Sequence, residues 1–429
     1  MQTRLHHLDA LRATAMLLGI VLHASLAYTG GPWIVRDDAR GSFAAIFLAI
    51  HGFRMQLFFL LSGFFTALLW RRYGLAGMLR HRAARIALPL LIGMFTIVPA
   101  GWVVVNWAGA AQTFDGSMVT SATSAVTSTA TSVATSSSAS AATSSAVPER
   151  AHAPHPVAAV IWVLFRFPFF QHLWFLWFLC WMVAGFALVA WCAERGIGAR
   201  LLATLHKRGP LVRTFVASAG ALVWLVPLTA LTFVVMDAMK AGPGFGADTS
   251  ASLLPLPGVL LHYAVFFLVG ALLFEIPDAL HGFSRRWIIA LVGAAVVFPI
   301  AVGFAMGAPW SHALVPVPVA HRGIAALGQA LYAWLACIAL LGLFARFVRH
   351  EWPVGRYLSD SAYWLYLAHL PLVIAGQILL RALPWPPLVK FVVLVVGSTA
   401  ILLASYEWCV RRTWIGAMLN GRRVGRRAT

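Results

Sequence analysis

The 429-residue chain is 61% hydrophobic and only 10% charged, with a mean hydropathy of +0.82; a soluble domain is roughly 45–50% apolar and about 25% charged. This balance excludes a soluble enzyme, a disordered chain and a nucleic-acid-binding domain with a membrane tail. The net charge of +19 sits mostly in short segments between apolar runs, which makes it an orientation signal rather than a footprint for nucleic acid.

Ten apolar runs of spanning length follow one another at 10–28, 44–69, 86–107, 172–193, 214–237, 258–276, 287–306, 323–345, 360–380 and 388–410. They predict an all-α, polytopic integral membrane protein of about ten transmembrane helices. The first run resembles a secretory signal in length, but Asp9, Arg12 and His23 within it argue for a retained span. One alternating set of connecting segments carries 22 Lys and Arg and the other set carries 8, with Arg12 and Arg54 inside spans. An excess of positive charge marks the cytoplasmic side. Both termini are therefore expected there.

Residues 117–147 are almost entirely Ser, Thr, Ala and Val, with no charge and no apolar periodicity. They predict a disordered external insert. It divides a membrane domain into 1–116, holding three spans, and 148–410, holding the rest; 411–429 form a basic cytoplasmic tail. Residues 157–170 are apolar but short, and Arg166 and Pro168 interrupt them, so an interfacial or re-entrant segment is expected. Stretches 241–257 and 309–321 are rich in Pro and Gly and predict irregular external loops. Cys180, Cys192, Cys337 and Cys409 lie in apolar stretches without a CxxC, as buried small hydrophobes do.

Ionisable side chains at bilayer depth cost several kcal/mol unless a cavity or partner receives them. Arg12 and His23 are eleven residues apart, which on a helix is about 20° from one face and about 16 Å of rise. Asp9 lies one turn before Arg12 and can pair with it; an Asp–Arg pair plus one buried structural histidine is the plain alternative. In the second span His51, Arg54, Phe58 and Ser62 share a face at i, i+3, i+7 and i+11. Phe58, Phe59 and Gly63 read most simply as packing. Arg54 lies too deep to reach either surface and needs an anion or a carboxylate. Arg82 and Arg85 share a face at the expected start of span three, where paired guanidinium groups and a helix N-terminus can hold phosphate, although positive-inside charge alone explains most of that cluster. His172 and Trp174 open span four, His369 lies midway along span nine, and Glu407 lies near the inner end of span ten. No spacing of His, Cys or carboxylates matches a metal site. Glu275 is expected at the interface.

Three motifs, Arg12–x10–His23, Phe58–Phe59–x–x–Ser62–Gly63–Phe64 and Arg82–x–x–Arg85, resemble the acyltransferase-3 family of ten-span bacterial membrane enzymes. His51–Gly–Phe–Arg54–Met–Gln56, His172–Leu–Trp174–Phe175–Leu176 and the stretch from Ser361 to Pro371 resemble the branch that succinylates osmoregulated periplasmic glucans. The resemblance implies acyl transfer from cytoplasmic acyl-CoA, as a co-substrate rather than a bound cofactor, to a sugar across the membrane. By the same resemblance Arg12 and His23 are the essential first-span pair, and Arg82 and Arg85 meet the CoA phosphates. The 117–147 insert departs from the family pattern.

A mechanism follows as an expectation. His23 acts as general base on a glucan hydroxyl, since imidazole titrates near neutrality. Arg12, Ser62 or the Gly63 amide stabilises the oxyanion, and the rise along the helix assigns Arg12 to the CoA end instead. Arg54, with His51 beside it, receives the succinyl carboxylate, which is costly to bury without a cation. His172, Trp174 and His369 complete the acyl or glucan site; Asp9, Phe58, Phe59, Gly63 and Glu407 support it. The partners are the lipid bilayer, acyl-CoA, a periplasmic glucan or other glycan, and glucan-synthesis proteins, with no nucleic acid and no metal. The competing functions are acetyl transfer from acetyl-CoA to another surface polysaccharide or lipid, glycan transport without acyl chemistry, and a scaffold in a glucan-synthesis complex.

Overall fold

A computed structural model describes residues 5–31, 33–37, 41–107, 109, 156–197, 219–237, 244–276, 278–350 and 352–420. The Ser/Thr-rich insert and residues 421–429 of the basic tail lie outside the described residues. Every regular element among the described residues is helical. We number the main helices α1 (His6–Ser25), α2 (Gly41–His51), α3 (Arg54–Arg82), α4 (Leu88–Phe95), α5 (Pro156–Arg166), α6 (Trp174–Glu194), α7 (Leu222–Asp237), α8 (Pro257–Glu275), α9 (Trp287–Ala305), α10 (Pro318–Phe347), α11 (Pro353–Arg381) and α12 (Pro387–Ser405).

Among the described residues, eight helical stretches are long and apolar enough to cross a membrane, so this is a polytopic membrane protein with the multi-spanning build of an inner-membrane resident. The predicted runs at 86–107 and 214–237 fall on shorter pieces: α4 followed by Ile97–Trp107, and Leu222–Met236 within α7. The first of these continues from α2 and α3 in one helical stretch, Ser42–Phe95. Its break is at Gly74, whose φ of 67° is a left-handed value that costs a glycine little. The predicted interfacial segment at 157–170 contains an eleven-residue helix, α5. Stretch 309–321 is less irregular than expected: Pro309–Leu314 is a short helix and Pro318 already begins α10, because each proline fits a first helical turn. Cys409 is exposed rather than buried, since its helix runs along the outside of the bundle.

Packing sorts the helices into centre and rim. The apolar window of α10 is 67% buried and that of Pro387–Val410 only 22%. The rim helices keep large apolar side chains outside, such as Ile289, Leu388 and Val396, which suits a lipid solvent. α9 lies along α10, α8 along α3, and α1 along α11. The α3–α8 pair packs backbone to backbone: a Cβ on Gly63 would meet the Phe267 carbonyl, and one on Gly270 would meet the Leu60 carbonyl. Small residues let helix backbones touch where lipid supplies no hydrophobic drive. A buried polar chain ties the centre together. Gln56 lies 3.4 Å from His262 Nε2, Thr232 Oγ1 is 2.9 Å from His262 Nδ1, and the Trp334 indole donates to Thr229 Oγ1 at 2.9 Å. One tautomer satisfies it, with Gln56 donating to Nε2 and Nδ1–H donating to Thr232.

Candidate functional site

Two cavities of similar size lie along α1, α3 and α11. The first, about 470 Å³, is lined by His23, His51, Arg54, His172, Trp174 and His369. The second, about 450 Å³, is lined by Asp9, Arg12, Ser62, Arg82 and Arg85. The sequence-predicted residues therefore separate into two groups. Helical spacing explains the division: α1 carries Arg12 into one cavity and His23 into the other, and α3, running the opposite way, carries Arg54 and then Ser62. Phe58 lines both. His51 ends α2, and the turn at Gly52 and Phe53 separates it from Arg54.

Three imidazoles meet in the first cavity. His23 and His369 have ring centroids 5.1 Å apart, and His172 and His369 are 5.7 Å apart. Backbone carbonyls determine two tautomers. His369 Nδ1 lies 2.7 Å from the Tyr366 carbonyl and His172 Nε2 lies 2.9 Å from the Leu367 carbonyl. Carbonyls only accept, so those nitrogens carry the protons and, in the neutral rings, His369 Nε2 and His172 Nδ1 keep bare lone pairs. Neither bare nitrogen has a hydrogen-bond partner among the described residues, and neither does His23 Nδ1. The Arg54 guanidinium lies against Gly19, where a Cβ would overlap Nη1 and would stand 3.9 Å from His369 Nε2. No carboxylate among the described residues forms an ion pair with Arg54, and its Nε has no hydrogen-bond partner. The rim is held from outside: Trp33 stacks on His23 at 6.0 Å and donates to Gln377 Oε1, while Gln377 Nε2 donates to the His23 carbonyl, both hydrogen bonds at 2.9 Å. Lys390 anchors the same loop through Asp37 at 2.9 Å.

The second cavity is cationic. Arg12 pairs with Asp9 at 3.5 Å and reaches Ser359 Oγ at 3.4 Å. Arg82 donates to the Ser62 carbonyl at 3.1 Å, and Tyr363 donates its hydroxyl to the Arg85 carbonyl at 2.7 Å. Arg82 and Arg85 do not open a helix, as the sequence suggested. α3 runs straight on through a π-type turn, Ala83–Ala87, into α4, so the Ala83 and Leu88 amides are already spent within the helix. An anion here meets side-chain guanidinium groups rather than a free N-terminus.

Three expected placements change. Ser62, considered as an oxyanion donor for His23, lines the other cavity, with Arg12, which the helical rise had already assigned to the CoA end; Gly63 lies within α3 against α8, so its amide is part of the helix ladder. Glu407 lines neither cavity and pairs with Arg411 at 2.7 Å. Phe59 is also outside, fully buried against Phe175 and Tyr263 at 4.9 and 4.6 Å. Glu275 pairs with Arg71. Sequence reasoning missed Gly19, Met16, Trp33 and Gln377. Gly19 carried a signal, being one turn before His23 on its face; Trp33 and Gln377 meet only in three dimensions. No group of three or more His, Cys, Asp or Glu suited to a metal occurs among the described residues.

A family model described as an acyltransferase domain matches residues 5–407. The curated relatives include the glucans biosynthesis protein C of Escherichia coli strains K12 and O1:K1 / APEC, each 34% identical over 115 residues. That stretch is 26% of this chain and 30% of the relative, so the match spans under a third of the relatives' length. No solved structure matches.

Proposed function

This chain belongs to the acyltransferase family, and from that premise we propose that it transfers an acyl group, succinyl from succinyl-CoA, to hydroxyls of a periplasmic glucan at the inner membrane. The observation that carries the reading is the separation of chemistries along α1: Arg12 in a cationic cavity, His23 in a histidine cavity about 16 Å further on. One cavity suits a polyphosphate, the other a reacting hydroxyl. The alternation of positive charge supports ten crossings with both termini cytoplasmic; in that orientation the cationic cavity faces the side where acyl-CoA is made. The insert and the tail then flank one membrane domain, 1–116 with 148–410.

Arg82, Arg85 and Arg12 hold the CoA phosphates, and the acyl end reaches toward His23. His23 Nδ1, which has no hydrogen-bond partner among the described residues, takes the proton of a glucan hydroxyl in the Nε2–H tautomer, as the hydroxyl oxygen attacks the thioester carbonyl. The C–S bond breaks, the ester forms, and the proton leaves with the CoA thiolate. His369 Nε2 and His172 Nδ1 offer acceptors to neighbouring sugar hydroxyls, and Trp174 and His51 complete that wall. Arg54 pairs with the succinyl carboxylate. An acetyl donor would leave its guanidinium without a counter-ion, and this favours succinyl over acetyl.

The test uses purified protein in liposomes with labelled succinyl-CoA and a periplasmic-type β-glucan. Wild type is expected to label the glucan, and His23→Ala to lose roughly 10²–10⁴-fold of the rate. Label from acetyl-CoA alone overturns the succinyl assignment. No consumption of any acyl-CoA by folded protein overturns acyl transfer in favour of glycan transport.

A further inference from the structure

The two cavities share a wall. Met16 of α1, Phe58 of α3 and Phe175 of α6 line both of them. Each is buried, at 9%, 4% and 5% exposure. The rings of Phe58 and Phe175 are 5.6 Å apart, and Phe175 also packs against Phe59 at 4.9 Å and against Tyr366, which lines the histidine cavity, at 5.9 Å. The wall lies at mid-height on each stripe. Phe58 is one turn from Arg54 and one turn from Ser62, about 6 Å each way; Met16 is about 6 Å from Arg12 and about 10 Å from His23.

This wall carries no polar side-chain atom beyond a thioether. A phosphate or a sugar held within it would lose water without replacement, a heavy cost; the methylenes and thioester of an acyl chain lose little, and a succinyl carboxylate that has passed the wall meets Arg54 one turn beyond Phe58. Its parts also differ in compliance. Phe175 is held by neighbouring rings, while methionine, unbranched and flexible, can swing aside.

We propose that Met16, Phe58 and Phe175 form an acyl-size gauge: they keep the CoA phosphates on the arginine side and the glycan on the histidine side, and the opening they leave sets which acyl groups reach His23. The inference rests on the acyl-transfer reading. It predicts that donor choice is decided at the wall as well as at Arg54, and that the wall keeps water from the thioester until an acceptor is bound.

The experiment compares acetyl-, succinyl- and benzoyl-CoA with wild type, Phe58→Ala, Met16→Ala and Phe58→Trp, alongside thermal unfolding in detergent. The expected result is that Phe58→Ala and Met16→Ala raise the benzoyl-to-acetyl ratio of kcat/KM at least tenfold and speed acyl-CoA hydrolysis without glucan. Phe58→Trp narrows the opening and is expected to lower the succinyl-to-acetyl ratio at least tenfold. If every donor changes by the same factor in variants that remain folded, the wall is packing alone and the gauge is overturned. If alanine at Phe58 prevents folding, Met16→Ala and Phe58→Trp decide the question by the same ratios. Wild type that transfers no acyl group overturns the underlying reading itself, a result distinct from unchanged ratios.

Discussion

Arg54 tests the identity of the donor at a single side chain. It lines the His23 cavity, has no carboxylate partner among the described residues, and rests on Gly19. If it receives the succinyl carboxylate, Arg54→Gly removes one half of a buried ion pair, a loss of roughly 3–5 kcal/mol, about a hundredfold or more in rate. The expected outcome is that succinyl transfer falls by that factor relative to acetyl transfer, read as the ratio of kcat/KM for the two donors. Gly19→Ala is expected to shift the ratio the same way by a smaller amount, since the new methyl displaces the guanidinium rather than deleting it. Stability should not fall, because alanine favours the helix by about 1 kcal/mol over glycine. Equal losses with both donors would make Arg54 structural. At this scale the sequence was informative about which residues are unusual: an arginine and a histidine in apolar runs stand out by cost alone. It was silent on their partners, because the Trp33–Gln377–His23 chain joins segments from opposite ends of the chain.

Helix α3 connects the site to the frame. Its stripe His51, Arg54, Phe58, Ser62 was legible from spacing, and the structure distributes that stripe over two cavities instead of one. The opposite face of α3 touches α8 through Gly63 and Gly270, where the obstruction is a carbonyl on the partner helix and not the tip of a movable side chain. Gly63→Val and Gly270→Val are therefore each expected to destabilise the protein by about 1–3 kcal/mol, measured as a lower unfolding midpoint in detergent. The double variant should cost less than the sum, because one separation of the helices relieves both clashes. A Gly63 variant of unchanged stability would contradict the close approach. The arginine pair shows the limit of local reading: the i, i+3 spacing correctly suggested one shared face, but the π-type turn that makes α3 continuous with α4 is a property of how that segment packs.

For the whole molecule, the proposed orientation opens the two cavities to opposite sides of the membrane. Thr249 is exposed at the histidine cavity and Tyr73 is exposed at the cationic one. With Cys409, which is exposed, first changed to Ser, a charged thiol reagent is expected to label Tyr73→Cys only from the cytoplasmic face of sealed vesicles and Thr249→Cys only from the other. Labelling of both from one face would overturn the ten-crossing arrangement. The sequence by itself determined the all-helical, multi-spanning class, because runs of about twenty apolar residues have few other ways to satisfy their backbone in lipid. It also determined which side chains share a helix face, since 100° per residue is a local constraint. Only the tertiary structure decided that Ser62 lines the cavity away from His23, that Arg54 nests on Gly19, and that Met16, Phe58 and Phe175 meet. In a membrane protein the apolar surfaces that pack together and those that face lipid are chemically alike, so which helices become neighbours depends on the shape of the whole bundle and not on any single segment.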